Sequence, residues 1–239
     1  MTVSVTTVAS ASTLLVVCDF DGVLAPLVAH PDDAAATGAS MTALRRLAAL
    51  PNTIVAIVSG RRRSDLIDRF ADDDFILIGE HGSDLGAEAP VDRPSMILAR
   101  ELVDSVVART PGARAEHKAR SVAFHYRQAE SPQEALATLR GAGDHLDGVT
   151  MMEGKKVLEL TTSSETKGRA VARLRSELGA SAVLFIGDDV TDETVFESLG
   201  AGDLGVKVGE GPTAAVARVD DPGDVAEFLE SLASARGTN

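Results

Sequence analysis

The run Leu14-Leu15-Val16-Val17-Cys18, followed at once by Asp19-Phe20-Asp21-Gly22, constrains this chain more than any other stretch. An unbroken apolar run of this length predicts a strand buried on both faces, the habit of parallel sheets covered by helices. Two acids and a glycine directly after it put a site at the strand's carboxyl end, where ligands of open α/β sheets bind. Carboxylates one residue apart can jointly hold a magnesium ion, and one can attack phosphorus while the other handles protons. A plain acidic turn would use the same residues, since Asp and Gly favour turns.

The same rhythm recurs on either side of an interruption. Residues 37–50 carry Met41, Leu44, Leu47 and Ala48 at helical spacing, and residues 53–58 form a β-rich run ending in Ser59-Gly60-Arg61. A short helix over 64–70 precedes a third strand, 75–78, which ends in Gly79-Glu80-His81-Gly82. Later, residues 167–178 read as a helix stopped by Gly179, and strand 182–186 runs into Gly187-Asp188-Asp189. A strand at 204–208 and a closing helix at 225–232 follow. Strands alternating with helices predict a parallel sheet with right-handed crossovers.

The middle departs from this pattern. A helix over 98–110, strands over 114–118 and 121–127, and a helix from a capping box at Ser131-Pro132-Gln133-Glu134 to about 145 are followed by a hairpin. That hairpin joins 149–152 to 155–161 around Glu153-Gly154. The order α-β-β-α-β-β predicts an antiparallel sheet with two helices on one face, a small domain inserted into the first. The expected division is a core over 12–84 and 162–235, an insertion over 85–161 and a loose tail over 1–11. Alternation sends Val122, Phe124 and Tyr126 towards the helices and leaves His125 and Arg127 on the open face. Lys155, Val157 and Glu159 share one face of the last strand.

A net charge of −13 argues against nucleic acid or an anionic membrane surface as partner. An anionic substrate would then need a bound cation or local basic groups. Cys18, the single cysteine, cannot form an intrachain disulfide, which fits a reducing cytoplasm. Residues 1–12 lack the pattern of a signal peptide, and no apolar stretch approaches the length of a membrane span.

A parallel sheet would bring Asp19, Asp21, Ser59, Lys167, Asp188 and Asp189 to one edge. Ser59 with Gly60 can hydrogen-bond a phosphate, and Lys167 at a helix start adds positive charge. Asp188, Asp19 and the backbone carbonyl of Asp21 form an all-oxygen magnesium site. Together these supply a nucleophile, a proton donor, donors for phosphate oxygens and a cation site, the needs of phosphoryl transfer.

On these residues the chain resembles the haloacid-dehalogenase-like (HAD) phosphatases, with Asp19-Phe20-Asp21-Gly22, Ser59, Lys167 and Gly187-Asp188-Asp189-Val190-Thr191-Asp192-Glu193 as their four motifs. Within them it is similar to the trehalose-6-phosphate phosphatases. That similarity rests on Asp19 to Pro26, Val58-Ser59-Gly60-Arg61, Glu80-His81-Gly82, Glu116-His117-Lys118, His125-Tyr126-Arg127, and Gly154-Lys155 leading to Glu159. One departure is Val23, where the family usually has threonine; the branched shape is kept without the hydroxyl.

The resemblance implies a Rossmann-like α/β core with an inserted α+β cap that closes over the substrate. It implies Mg²⁺-dependent hydrolysis of trehalose 6-phosphate to trehalose and phosphate through an aspartyl phosphate. Asp19 would be the nucleophile and Asp21 the acid and then the base. Ser59 and Lys167 would balance phosphate charge, and Asp189 and Asp192 would orient Lys167 or metal-bound water. Asp19, Asp21 and Asp188 would hold the metal. Gly60, Arg61, Glu80, His81, Gly82, Lys118, His125, Arg127, Lys155 and Glu159 would bind the substrate. A cytoplasmic monomer acting on a small sugar phosphate is expected. Another sugar or pseudo-disaccharide phosphate, a phosphomutase, or a non-catalytic sugar-phosphate sensor remain as alternatives.

Overall fold

Leu14–Cys18 forms a strand, β1, buried along its whole length. Its alternate side chains serve two cores: Leu14, Val16 and Cys18 enter one, and Leu15 and Val17 the other. The computed structural model describes residues 4–70, 74–83 and 94–238. It divides into two compact units, Met1–Leu85 with Thr166–Asn239, and Gly86–Glu165. The first boundary expected from sequence, at 84/85, lies outside the described residues. Residues 162–165 stay with the second unit, where the Thr162 amide donates to the Arg120 carbonyl at 2.9 Å.

The first unit opens with α1 (Val5–Ala9), β1, α2 (Gly38–Ala48), β2 (Thr53–Val58), α3 (Arg63–Arg69) and β3 (Ile76–Ile78). The second consists of α4 (Pro94–Val107), β4 (Arg114–His117), β5 (Ser121–His125), α5 (Gln133–Gly143), β6 (Thr150–Gly154) and β7 (Val157–Thr161). The chain completes the first unit with α6 (Lys167–Leu178), β8 (Ala182–Gly187), α7 (Val190–Phe196), β9 (Leu204–Val208), β10 (Ala217–Val219) and α8 (Pro222–Gly237).

Six strands in the order β10-β9-β8-β1-β2-β3 pair in parallel. The chain reverses its direction of strand addition at β1, so the crevice beside β1 is the switch point where such sheets bind ligands. Leu44 and Leu47 of α2, and Val225, Leu229 and Leu232 of α8, cover one face. Val171 and Leu174 of α6, with Val195 and Phe196 of α7, cover the other. Of the tail expected to be loose, the described part, residues 4–11, is anchored. Val8 of α1 is fully buried in the first core, and the Arg236 guanidinium donates to the Ala9 and Ala11 carbonyls at 2.9 and 2.8 Å. Among the described residues, no helix is long and apolar enough to cross a membrane.

In the second unit an antiparallel sheet in the order β4-β5-β7-β6 buries Val122, Phe124, Leu158 and Leu160 against α4 and α5. The expected capping box does not form. Pro132 is the N-cap, already in helical conformation, and the Leu136 amide donates to its carbonyl, which leaves Ser131 outside the first turn. The hairpin turn also lies elsewhere than around Glu153-Gly154. Gly154 pairs with Val157, so Lys155 and Lys156 make the turn, with Lys156 at φ 65° supplying its left-handed residue.

Candidate active site

Parallel pairing carries three strand ends to one edge: Asp19 follows β1, Ser59 follows β2 and Asp188 follows β8. The Asp19 amide still donates to the Ile186 carbonyl at 3.0 Å, so the sheet's own geometry sets where its carboxylate stands. Lys167 opens α6, whose first turn is capped by the Thr166 hydroxyl. Its ammonium sits 2.7 Å from Asp19 Oδ2 and 2.8 Å from Asp192 Oδ1. The other Asp19 oxygen accepts the Phe20 amide at 2.6 Å. Asp192 Oδ2 accepts the amides of Asp188 and Asp189 at 2.8 and 2.9 Å, so both oxygens of this buried carboxylate brace the site. Lys207, buried near the end of β9, donates to the Asp188 carbonyl at 2.8 Å and the Val208 carbonyl at 2.7 Å.

Burial pushes the Asp19 carboxyl well above the usual range; the Lys167 ammonium opposes this, and the Asp192 and Asp188 carboxylates add to it. Burial alone would lower Lys167. The Asp19 and Asp192 carboxylates outweigh that and hold the ammonium charged, above its ordinary range. Carboxylate oxygens of Asp19, Asp188 and Asp192 all lie within 4.8 Å of one another. Three buried carboxylates gathered this closely concentrate negative charge that a cation would offset. Oxygen donors alone suit magnesium rather than zinc. Asp19, Asp188 and Asp192 are the carboxylates grouped closely enough to share such a cation.

Gly22 makes room for Asp188. Its φ is +77°, and a Cβ there would lie 2.2 Å from Asp188 Oδ2. Gly22→Ala should cost about 1–3 kcal/mol from backbone strain alone, before the displacement of the carboxylate is counted. Urea denaturation checks this, and an unchanged midpoint would mean that the turn relaxes freely.

Asp21 stands apart from the carboxylate group, held by Arg61 through Nε–Oδ2 and Nη2–Oδ1 bonds of 2.7 Å each. The Arg61 guanidinium, expected among the substrate-binding groups, is directed at Asp21. Ser59 is buried and accepts the Arg61 amide at 3.3 Å. The turn after β3 is pinned to the same loop: the Glu80 amide donates to the Arg61 carbonyl at 2.8 Å and the His81 amide to the Ser59 carbonyl at 3.0 Å. Glu80 and His81 both take left-handed backbone, a costly state for residues with a side chain. A Cβ on Gly60 would meet the His81 ring at 2.6 Å, so any larger residue there would push that ring aside. Gly82 is buried at the end of the same turn. Asp189, expected in catalysis, caps α7 in a reciprocal arrangement with Asp192. Val23 lies in the core, an apolar setting that asks nothing of a hydroxyl.

The polar face of the second unit is internally paired. Lys118 contacts Glu159 at 3.0 Å with both side chains buried, and Ser121 donates to the other Glu159 oxygen. His125 meets Glu116 at 2.8 Å. Burial works to raise Glu116, but its hydrogen bond with His125 and the charge of Lys118 hold its carboxyl below the usual range. The Arg127 guanidinium reaches the Lys155 carbonyl at 3.4 Å, and Lys155 itself lies in the turn rather than on a strand face. Sequence reasoning passed over Lys207. The available signal was a charge near the carboxyl end of the buried run Leu204–Val208.

The family profile described as Trehalose-phosphatase matches residues 17–222. The chain is 36% identical over 236 residues to a Bifunctional trehalose-6-phosphate synthase/phosphatase of Thermoproteus tenax, covering 94% of this chain and 32% of that protein. It is 32% identical over 228 residues to the Trehalose-6-phosphate phosphatase of Escherichia coli, covering 91% of this chain and 85% of that one. This chain therefore spans about a third of the first relative's length and most of the second's. Among solved structures, the C-terminal domain of C. albicans Trehalose-6-phosphate phosphatase superposes with a TM-score of 0.82 at 25% identity, over 96% of this chain and 95% of that one.

Proposed function

The chain belongs to the trehalose-phosphatase family, and from that premise we propose that it hydrolyses trehalose 6-phosphate to trehalose and phosphate, through an aspartyl phosphate, with magnesium as cofactor. The observation that carries the reading is the buried Asp19–Lys167–Asp192 ion-pair chain at the switch point, with Asp188 beside it. An Asp19 oxygen attacks phosphorus, and the bond from phosphorus to the sugar oxygen breaks. Asp21 gives its proton to that leaving oxygen. It then takes a proton from the water that attacks the phosphoryl group and frees Asp19. Lys167 and the Ser59 hydroxyl balance charge on the phosphoryl oxygens. Magnesium, held by Asp19, Asp188 and the Asp21 backbone carbonyl, would add further neutralisation of phosphoryl charge.

Sugar hydroxyls would be recognised by the polar groups of the second unit, namely Lys118, His125, Arg127, Lys155 and Glu159. Lys118 and Glu159 act as a pair, since each already holds the other. The reading takes the substrate to be a small molecule met in the cytoplasm.

The test is phosphate release from trehalose 6-phosphate, sucrose 6-phosphate and glucose 6-phosphate, with magnesium and with excess chelator. Release from the trehalose ester should exceed the others and stop with chelation. Full turnover in chelator would remove the metal from the reading, and preference for another ester would reassign the sugar.

A further inference from the structure

Asp21 lies past the end of β1 and Arg61 past the end of β2, neighbouring strands whose ends diverge into separate loops. Its side chain is 36% exposed, a setting in which an aspartate would ordinarily sample several rotamers. Here both carboxylate oxygens are bound by one planar fork, Arg61 Nε and Nη2, at 2.7 Å each. The fork is fixed in turn. The guanidinium carbon lies 5.1 Å from the centroid of the Phe20 ring, and Nη2 also donates to the Pro31 carbonyl at 2.8 Å. Arg69 closes the same arrangement, 5.5 Å from the Phe20 centroid and 3.2 Å from the Pro31 carbonyl. Phe20 itself is fully buried and packs edge-on against Phe70 at 5.7 Å. The residue between the two site aspartates is thus the floor on which the arginine lies.

We propose that Arg61 is a positioning residue for Asp21: its fork, braced by the Phe20 ring and the Pro31 carbonyl, sets the orientation in which Asp21 delivers and accepts its proton. Contact with sugar is not its task. A point-charge lysine cannot reproduce two parallel donors or lie flat on a ring, so the role is specific to arginine. The inference rests on the phosphatase reading above and assigns a role that the reading leaves open.

A misdirected general acid slows esters whose leaving oxygen needs protonation more than those whose leaving oxygen departs as a stable anion. The experiment therefore compares phenyl phosphate, a poor leaving group, with 4-nitrophenyl phosphate, a good one; neither carries a sugar. Wild type, Arg61→Met, Arg61→Lys, Asp21→Asn and the Arg61→Met/Asp21→Asn double variant are measured with magnesium on these two esters and on trehalose 6-phosphate.

Arg61→Met should lower kcat/KM, which reports the step that expels the leaving group, by about 100-fold for phenyl phosphate, with a much smaller loss of kcat/KM on the nitrophenyl ester. Arg61→Lys should recover only part of this. In the double variant the arginine change should add almost nothing to the loss from Asp21→Asn. Equal losses of kcat/KM on both esters, or fully additive losses, would overturn the inference and make Arg61 a phosphate-binding or structural group. An effect confined to trehalose 6-phosphate would also overturn it and place Arg61 at the sugar. Failure of the wild type to cleave any ester would overturn the phosphatase reading itself, and the inference with it.

Discussion

Asp19→Asn should reduce phosphate release by on the order of 10⁴-fold or more while leaving the fold intact. The amide is nearly the shape of the carboxylate, so the contacts of β1, the Phe20 amide and Lys167 have no steric reason to move. Its nitrogen cannot form the acyl phosphate. The magnitude separates two roles. At about 1.4 kcal/mol per tenfold, loss of a covalent nucleophile corresponds to about 5.5 kcal/mol or more. Loss of one stabilising group near the phosphate would cost about 10²–10³-fold. Steady-state phosphate release with unchanged circular dichroism checks this. A residual rate only a hundredfold below wild type would make Asp19 an electrostatic or metal-binding group and leave direct attack by water.

Lys167→Met should lose both activity and stability. Lys167 is 2% exposed, and its ammonium is the shared partner of two buried carboxylates. Removing one member of such a buried network costs about 3–5 kcal/mol, because the others keep their desolvation without its attraction. The pH dependence follows from the directions of the shifts. Lys167 titrates above its usual range, so its contribution is fully present below about pH 10 and is lost only as pH rises through the folded value. Asp19 is pushed up by burial and would be pushed further without the ammonium, so the variant favours a protonated Asp19. Its deficit should widen as pH rises from 5 to 8 and narrow towards acid. Urea denaturation across that range, without metal, provides the measurement. A deficit under about 1 kcal/mol at pH 8 would show that water or rearrangement replaces the ammonium.

How much of this was open to inspection depended on how completely each segment is buried. β1, β2, β8 and β9 are nearly continuous apolar runs because both of their faces are covered, and such runs stand out in a sequence without any tertiary knowledge. α6 was delimited at both ends by Lys167 and Gly179, the latter in the left-handed conformation that ends helices. α7 was hidden because its first turn is acidic, with Asp189 and Asp192 spent on capping and bracing. α1 is too short to propagate by itself and exists through Val8 in the core and the Arg236 clamp. β10, a three-residue edge strand, carries no readable period.

The sequence by itself determined the layers, the alternating faces of the inserted sheet, and which acids, serine and lysine arrive at one edge, because burial and strand direction are written in local apolar patterns. The tertiary structure alone decided which charge holds which. Asp21 meets an arginine 40 positions away, Lys167 takes Asp192, 25 positions away, of the two aspartates expected to orient it, and Lys207 meets the carbonyl of Asp188 19 positions away. Partners of that kind are chosen by where strand ends converge and by how little water remains between them. An ionic contact strengthens only as the surroundings dry out, and no local pattern records that.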